Sequence, residues 1–130
     1  MNGPYLGIDI GLKRTGISLS ESGLQARPLI VIESAYPHLD PLYTGLMRLY
    51  EKYQPTTLVI GQPNHLDGTT SRQTDRIAEI VKEISENLPS AEIVLWDEHG
   101  TTKEAKRLYP TLDDNLGAAT LILQDYLNTL

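Results

Sequence analysis

The sequence contains no cysteine, which excludes disulfide bonds and thiolate metal sites. No apolar run approaches the ~20 residues needed to span a membrane, and the N-terminus lacks the basic-then-apolar pattern of a secretory signal. A basic excess is missing too, because 17 acidic residues outnumber 11 lysines and arginines and give a net charge of −6. These absences predict a cytoplasmic protein with no membrane segment. The charge alone favours a scattered acidic surface over a nucleic-acid-binding one.

The rest of the composition is that of an ordinary globular domain. The chain has 130 residues, of which 40% are hydrophobic and 22% charged. This length predicts a single domain over residues 1–130 that buries roughly two-thirds of its unfolded surface. If the protein binds phosphate groups, two short basic clusters are the candidates: Lys13 with Arg14, and Lys103 with Lys106 and Arg107.

The most informative segment is residues 5–11, in which apolar strand-forming residues surround one carboxylate, Asp9. An ionised carboxylate among apolar neighbours is costly unless a metal, a cation or several backbone donors pair with it. Gly7 and Gly11 leave room beside Asp9 for a ligand or another backbone segment. Asp9 is therefore either a ligand at the end of a central strand or a residue that caps a turn.

Hydrophobic periodicity predicts an α/β fold with a five-stranded mixed sheet and helices on its faces. The first three strands follow one another through short turns, which predicts an antiparallel meander, and residues 17–20 alternate as in a half-exposed strand. Right-handed crossovers then place the fourth strand beside the first and the fifth beyond it. The predicted strands are 5–11, 17–20, 29–32, 57–61 and 91–96. The predicted helices are 42–53 with Asp40 as cap, a helix through 77–88, a short helix ending at 108, and 116–127.

Acidic residues lie where several of these elements begin or end: Asp9, Asp97 with Glu98, and Asp113 with Asp114. The carboxyl ends of the first, fourth and fifth strands would lie side by side, so we expect these carboxylates to converge. Carboxylates in contact repel one another unless a cation lies between them, and oxygen-only ligands suit Mg²⁺ or Mn²⁺. Two such ions can activate water against a phosphodiester. The pattern predicts a metal-dependent nuclease; the alternative is that each acid caps its own helix or turn.

Two histidines and two aromatic residues are weaker candidates for functional residues. His99 could be a general base, a phosphate contact or a solvated loop residue, and His65 lies in a long polar loop. Trp96 and Tyr109 could stack on bases, but packing at a strand end and between helices explains them better.

Four segments, in order along the chain, resemble the motifs of the YqgF/RuvX family of ribonuclease H-like proteins. The first is residues 7–16, Gly-Ile-Asp-Ile-Gly-Leu-Lys-Arg-Thr-Gly. The others are Val-Ile-Gly-Gln-Pro at 59–63 with Asp-Gly at 67–68, Asp-Glu-His-Gly-Thr-Thr at 97–102, and the helical segment 117–127. One such motif is weak, whereas four in order over nearly the whole chain are specific.

The resemblance implies a ribonuclease H-like fold and a nuclease that depends on Mg²⁺ or Mn²⁺. Family members are described as processing the 5′ end of 16S ribosomal RNA precursors, or as Holliday junction resolvases. By similarity, Asp9 is the first metal ligand and Glu98, beside Asp97, is the second carboxylate. The predicted contacts to nucleic acid are Lys13, Arg14, His99 and Thr101.

Two positions depart from the family pattern. His99 stands where an arginine is usual, and Asn115 stands where the third acid is expected. Asn115 offers a carbonyl ligand without a charge, while Asp114 points about 100° away around a regular helix. The predicted catalytic residues are Asp9, Asp97, Glu98 and Asp114, and the predicted metal ligands are Asp9, Glu98, Asp114 and Asn115.

Three functions are consistent with this sequence. The first is a nuclease for the 5′ end of pre-16S ribosomal RNA. The second is a Holliday junction resolvase-like DNA nuclease, which would need a dimer to place two active sites on one junction. The third is a nucleic-acid-binding or ribosome-assembly protein that cuts poorly. The expected partners are pre-ribosomal RNA or branched DNA and ribosomal particles, for a monomer or homodimer.

Overall fold

The computed structural model describes residues 3–62, 72–97 and 101–130, and the side chains of residues 72–74 and 101–102 lie outside that description. The strands in these ranges are β1 (Tyr5–Ile10), β2 (Arg14–Ser20), β3 (Arg27–Glu33), β4 (Thr57–Gln62) and β5 (Glu92–Asp97). The helices are α1 (Asp40–Tyr53), α2 (Arg72–Asn87), α3 (Thr101–Leu108) and α4 (Asp114–Leu127). None of the helices in this part of the chain is both long and apolar enough to cross a membrane.

The strands form one sheet with the order β3-β2-β1-β4-β5. β2 pairs antiparallel with both β1 and β3, which confirms the predicted meander. β4 pairs parallel with both β1 and β5, as right-handed crossovers through α1 and α2 require. Asp9 therefore lies on the central strand of a mixed sheet.

The two faces of the sheet are covered by different helices. Alternate residues of β1, Leu6, Ile8 and Ile10, belong to the main core together with buried residues of α1 and α2. On the opposite face, Tyr5 packs in a smaller cluster with Ile122 and Leu123 of α4 and with Val59 of β4. Because side chains alternate along a strand, Gly7 and Asp9 share the α4 face with Tyr5.

Helix α4 lies in direct contact with β1 and β2 because glycines face it. A Cβ added to Gly7 would lie 2.7 Å from the carbonyl oxygen of Ala119, and one added to Gly16 would lie 2.2 Å from the carbonyl carbon of Asn115. The Ser18 hydroxyl, also on this face, donates a hydrogen bond of 2.7 Å to the Ala119 carbonyl oxygen. Only the absence of side chains at the two glycines permits so close an approach.

The prediction of a half-exposed second strand is wrong. Every residue of β2 except Arg14 is buried. Its polar residues predicted a solvated face, but α4 covers that face, and the Ser18 hydroxyl is satisfied by the helix backbone instead of water.

The starts of two helices also differ from prediction. α1 begins at Asp40 itself; its N-cap is Leu39, which makes no side-chain capping bond, and Pro41 lies in the first turn as predicted. α4 begins two residues earlier than predicted, at Asp114, because the Asp113 carboxylate accepts hydrogen bonds from the backbone of Asn115 at 2.8 Å and Leu116 at 3.2 Å.

Candidate active site

The centre of the candidate site is a hydrogen bond between two residues that are 106 positions apart. The Asn115 side-chain Nδ2 donates to Asp9 Oδ2 at 3.0 Å. Asp9 is the fifth of the six residues of β1 and is only 8% exposed, whereas Asn115 lies in the first turn of α4. A carboxylate as buried as this needs polar partners, and the start of α4 supplies one of them.

Asn115 is held in place by its backbone and by the glycines of the first motif. Asp113 caps the helix and accepts from the Asn115 backbone N–H. Gly16 lies against the Asn115 backbone, and a Cβ added to Gly11 would lie 3.0 Å from Asn115 Nδ2. The space beside Asp9 that the glycines predict is thus occupied by α4.

Two other acidic residues predicted as catalytic, Asp114 and Asp97, lie elsewhere. Asp114 is 58% exposed, and its Oδ2 lies 3.6 Å from Lys106 Nζ on α3. Asp97 ends β5 and is exposed; the preceding residue, Trp96, packs edge-on against Tyr126 of α4. Because side chains alternate along a strand, Asp97 lies on the sheet face opposite Asp9. The structure therefore brings Asn115 to Asp9, but neither Asp97 nor Asp114.

The contact of Trp96 with Tyr126, with ring centroids 5.9 Å apart, also confirms that core packing explains this tryptophan. Tyr109 lies beside Gly117 at the junction of α3 and α4, as expected for packing between helices.

Basic side chains from two elements contact the residues that precede Asn115 at the start of α4. Arg14 Nη1 lies 3.8 Å from Asp113 Oδ2, and Arg14 Nε lies 3.5 Å from Glu33 Oε1. Lys106 approaches the same helix end from α3 through its contact with Asp114. The two basic clusters predicted from the sequence therefore both reach the N-terminus of α4, in spite of the acidic net charge. The pairing of Arg14 with Glu33 has no sequence signal, because it depends on the register between β2 and β3.

Lys13 is exposed in a turn that is held by backbone hydrogen bonds. The Ser34 N–H donates to the Lys13 carbonyl oxygen at 3.0 Å, and the Tyr36 N–H donates to the Leu12 carbonyl oxygen at 2.7 Å. These bonds fix the backbone of the turn while the Lys13 side chain stays exposed to solvent, next in sequence to Arg14.

Several predicted residues lie outside the described parts of the chain. They are Glu98, His99, His65 and the Asp-Gly pair at 67–68. Thr101 begins α3, but its side chain is outside the description as well.

The side chains that the structure describes can supply some, but not all, of the oxygen ligands that Mg²⁺ or Mn²⁺ needs. Asp9 supplies carboxylate oxygens, and Asn115 supplies an amide whose oxygen would replace its nitrogen after a rotation of about 180°. Across residues 3–62, 75–97 and 103–130, no three acidic or histidine side chains are close enough together to hold a metal ion. A complete site therefore needs a further ligand, and the sequence offers Glu98 for that place.

Comparison with known proteins identifies the family. The model described as "RuvX: Holliday junction resolvase" matches residues 3–129. A protein of Ruminiclostridium cellulolyticum named "Putative pre-16S rRNA nuclease" is 36% identical over 138 residues, which cover 96% of this chain and 94% of that protein. A protein of the same name from Onion yellows phytoplasma is 31% identical over 136 residues, which cover 98% and 90%.

Solved structures share the fold. The Thermus thermophilus RuvC protein, in complex with a Holliday junction substrate, has a TM-score of 0.63 at 14% identity, covering 97% of this chain and 94% of that one. The yeast mitochondrial Holliday junction resolvase Ydc2 has a TM-score of 0.57 at 10% identity, covering 95% and 77%. The mixed sheet with its flanking helices is thus ribonuclease H-like. Together with the family match over nearly its whole length, this shows that the chain belongs to the RuvX family.

Proposed function

We propose that this protein is a metal-dependent endonuclease that hydrolyses phosphodiester bonds during 5′ maturation of pre-16S ribosomal RNA. The observation that carries the proposal is the buried Asp9 on the central strand, which contacts Asn115 in the first turn of α4, where Arg14 and Lys106 contact the two preceding residues. The names of the curated relatives support the choice of substrate. Action on precursor ribosomal RNA would place the protein in the cytoplasm, in contact with ribosomal particles.

Each residue of the site has a proposed role. Asp9, Glu98 and the Asn115 carbonyl oxygen would hold Mg²⁺ or Mn²⁺, and the bound ion would supply Lewis acidity and activate water for phosphodiester hydrolysis. Lys13 and Arg14 bind the nucleic-acid backbone, since both are exposed beside the site. His99 and Thr101 are proposed as further contacts to nucleic acid. Asp97 and Asp114 have weaker support as catalytic residues, because Asp97 lies on the other sheet face and Asp114 contacts Lys106.

A second candidate function is cleavage of branched DNA. It is supported by the description of the family and by the fold shared with a RuvC protein bound to a Holliday junction. Resolution of a junction requires cuts in two strands and therefore a homodimer, whereas trimming of one RNA strand can be done by a monomer.

One cleavage experiment separates these functions. A pre-16S RNA and a four-way DNA junction are incubated side by side with the protein in Mn²⁺ or in EDTA, with Asp9→Asn as the control for contaminating nucleases. We expect cutting of the RNA in Mn²⁺ and none in EDTA, because the proposed water activation needs the ion. Preferential cutting of the junction would replace the RNA proposal with the DNA one. Binding of RNA without cutting by folded protein would favour a ribosome-assembly role.

The substitution Asn115→Asp should couple stability to metal binding. It replaces an amide donor 3.0 Å from Asp9 Oδ2 with a second carboxylate, so the metal-free protein should lose about 1–2 kcal/mol through like-charge repulsion. Mn²⁺ should bind at least about tenfold more tightly, because the new ligand carries a charge. Thermal melts with and without Mn²⁺ measure both effects, and cleavage should rise as well.

Asp114→Asn is the matched control for this variant. It changes the charge of the preceding residue, which lies beside Lys106 on the helix surface. We expect Mn²⁺ affinity within about twofold of the parent, since an exposed pair of this kind contributes little. If Asp114→Asn weakens Mn²⁺ binding and Asn115→Asp leaves it unchanged, Asp114 is the metal ligand and the assignment of Asn115 is wrong.

A further inference from the structure

A groove runs between α1 and α2, on the face of the sheet opposite α4. Its floor includes Leu46, Ile80 and Ile84, which belong to the main core. Two adjoining cavities of about 420 and 410 Å³ form the groove, and Tyr43 lines both of them. The Asp9–Asn115 contact lies across the sheet, so the groove is a separate surface from the candidate active site.

One end of the groove is acidic and aromatic. Glu79, Glu83 and Glu86 of α2 line it together with the rings of Tyr36 and Tyr43. Among the described side chains, none of these three glutamates has a basic partner within ion-pair distance. Lys82 belongs to the lining and Arg76 lies against Tyr36, so three carboxylates and two basic side chains leave this end with one net negative charge.

The aromatic rings at this end are suited to cations. The guanidinium carbon of Arg76 already lies 4.6 Å from the centroid of the Tyr36 ring, which is the geometry of a cation–π contact. Burial raises the pKa of Tyr43, and the nearby charges of Glu83 and Glu79 raise it further. A cation bound at this end of the groove would therefore be close to the tyrosine rings and to the carboxylates at the same time.

The other end of the groove is apolar. Met47, Leu46, Ile84 and Leu88 line it, and Met47 is 40% exposed although it is a large hydrophobic residue. Leu88 directly follows the end of α2 and lies nine positions after Glu79, which is about 13 Å at the rise of a helix. An extended peptide covers that distance with about four residues.

We propose that this groove docks a basic segment of a partner protein, with an apolar anchor about four residues from a run of arginine or lysine. Charge complementarity selects this occupant, because carboxylates without an ion pair among the described side chains and the ring of Tyr43 meet its cations while the Met47 end receives its anchor. A second copy of this chain is a poor occupant, since its own net charge is −6.

The position of the groove gives the partner a role that goes beyond cleavage itself. Tyr36, at the acidic end, donates its N–H to the Leu12 carbonyl oxygen in the turn that carries Lys13. A basic protein docked there would extend the cationic surface next to the nucleic-acid contacts. It would thereby reduce the repulsion between this acidic chain and an RNA backbone.

The test measures binding of a designed peptide by fluorescence anisotropy at about 0.15 M salt. The probe is fluorescein-labelled Gly-Leu-Leu-Ser-Gly-Ser-Arg-Arg-Ser-Arg, and a second peptide has serine in place of both leucines. The variant Glu79→Gln/Glu83→Gln is compared with Glu51→Gln/Glu92→Gln, which makes the same change in net charge at exposed positions outside the groove.

We expect Glu79→Gln/Glu83→Gln to weaken binding of the leucine peptide about tenfold, and Glu51→Gln/Glu92→Gln to weaken it less than about twofold. The serine peptide should bind more weakly to the parent protein than the leucine peptide. Equal losses in the two double variants, equal binding of the two peptides, or no binding at all would overturn the proposal. Displacement of the peptide by an equal concentration of spermidine would also overturn it, in favour of a small polycation. Cleavage of free RNA is not part of this measurement, so its outcome is independent of the proposed nuclease activity.

Discussion

Asp9→Asn is expected to lower the rate of metal-dependent cleavage at least about hundredfold, while the protein remains folded. The substitution removes the charge of the carboxylate that accepts the hydrogen bond from the Asn115 side chain. It preserves the size of the side chain and an oxygen that can accept the Asn115 hydrogen bond. Initial cleavage rates at saturating Mn²⁺ give the effect, and circular dichroism melts report on the fold. The melting temperature should stay within a few degrees, because a neutral amide is easier to bury than a carboxylate.

The matched control for this prediction is Asp97→Asn. Asp97 is exposed at the end of β5, on the sheet face opposite Asp9, so its neutralisation should change the rate by less than about threefold. Asp97→Asn would thus report the effect of removing a negative charge near the strand ends without touching the proposed metal ligand. A large loss in Asp97→Asn with a small one in Asp9→Asn would mean that the catalytic carboxylate lies on the other face of the sheet.

The strand order could be predicted because few sheet topologies are compatible with the order of strands, turns and helices along the chain. Strands β1 to β3 are joined by short turns, and each later strand is separated from its predecessor by a helix, so handedness leaves β4 beside β1. The burial of β2 could not be predicted in the same way. Ser18 and Ser20 are fully buried because α4, about a hundred residues later in sequence, covers them, and alternation within a strand carries no information about so distant a neighbour.

The pattern of residues in β1 predicts Asp9 as a candidate site residue, but it does not predict that Asn115 pairs with it. Asp9 is conspicuous as a carboxylate among apolar strand formers, and the contact of α4 with the glycine at position 16 decides which residue of the helix meets it. For Asp97, the order of strands correctly predicts that the end of β5 lies near the end of β4. It does not predict the face, because a shift of one residue in the strand end reverses the side-chain direction.

The first residue of α4 can be predicted from a capping signal in the sequence. An aspartate directly before an apolar helical pattern is a typical N-cap, and Asp113 has that role. Taking this cap into account places Asn115 in the first turn, about 100° around the helix from Asp114. With this start, Asn115 can face β1 while Asp114 faces α3, which is the arrangement that the structure has.

Gly16→Ala is expected to be the most destabilising small substitution near the site. The added Cβ would lie 2.2 Å from both the carbonyl carbon and the oxygen of Asn115, and 2.4 Å from the Leu116 nitrogen. These are backbone atoms of a capped helix and cannot rotate away, so the first turn of α4 must move. We expect a loss of about 3 kcal/mol in the free energy of unfolding, which lowers Tm by on the order of 10 °C. Urea denaturation measures this loss.

The same displacement should also lower the cleavage activity, because it moves Asn115 away from its 3.0 Å contact with Asp9. Cleavage by the folded fraction should fall about tenfold or more, as expected when a site residue is displaced by a fraction of an ångström. Gly117→Ala, two residues after Asn115 in α4, is the matched control. Its Cβ would meet nothing closer than Ala105 Cβ at 3.6 Å, so it should leave stability unchanged or raise it by up to about 1 kcal/mol. If Gly16→Ala proved as stable and active as Gly117→Ala, α4 could not lie as close to β2 as the structure has it, and the pairing of Asn115 with Asp9 would lose its physical basis.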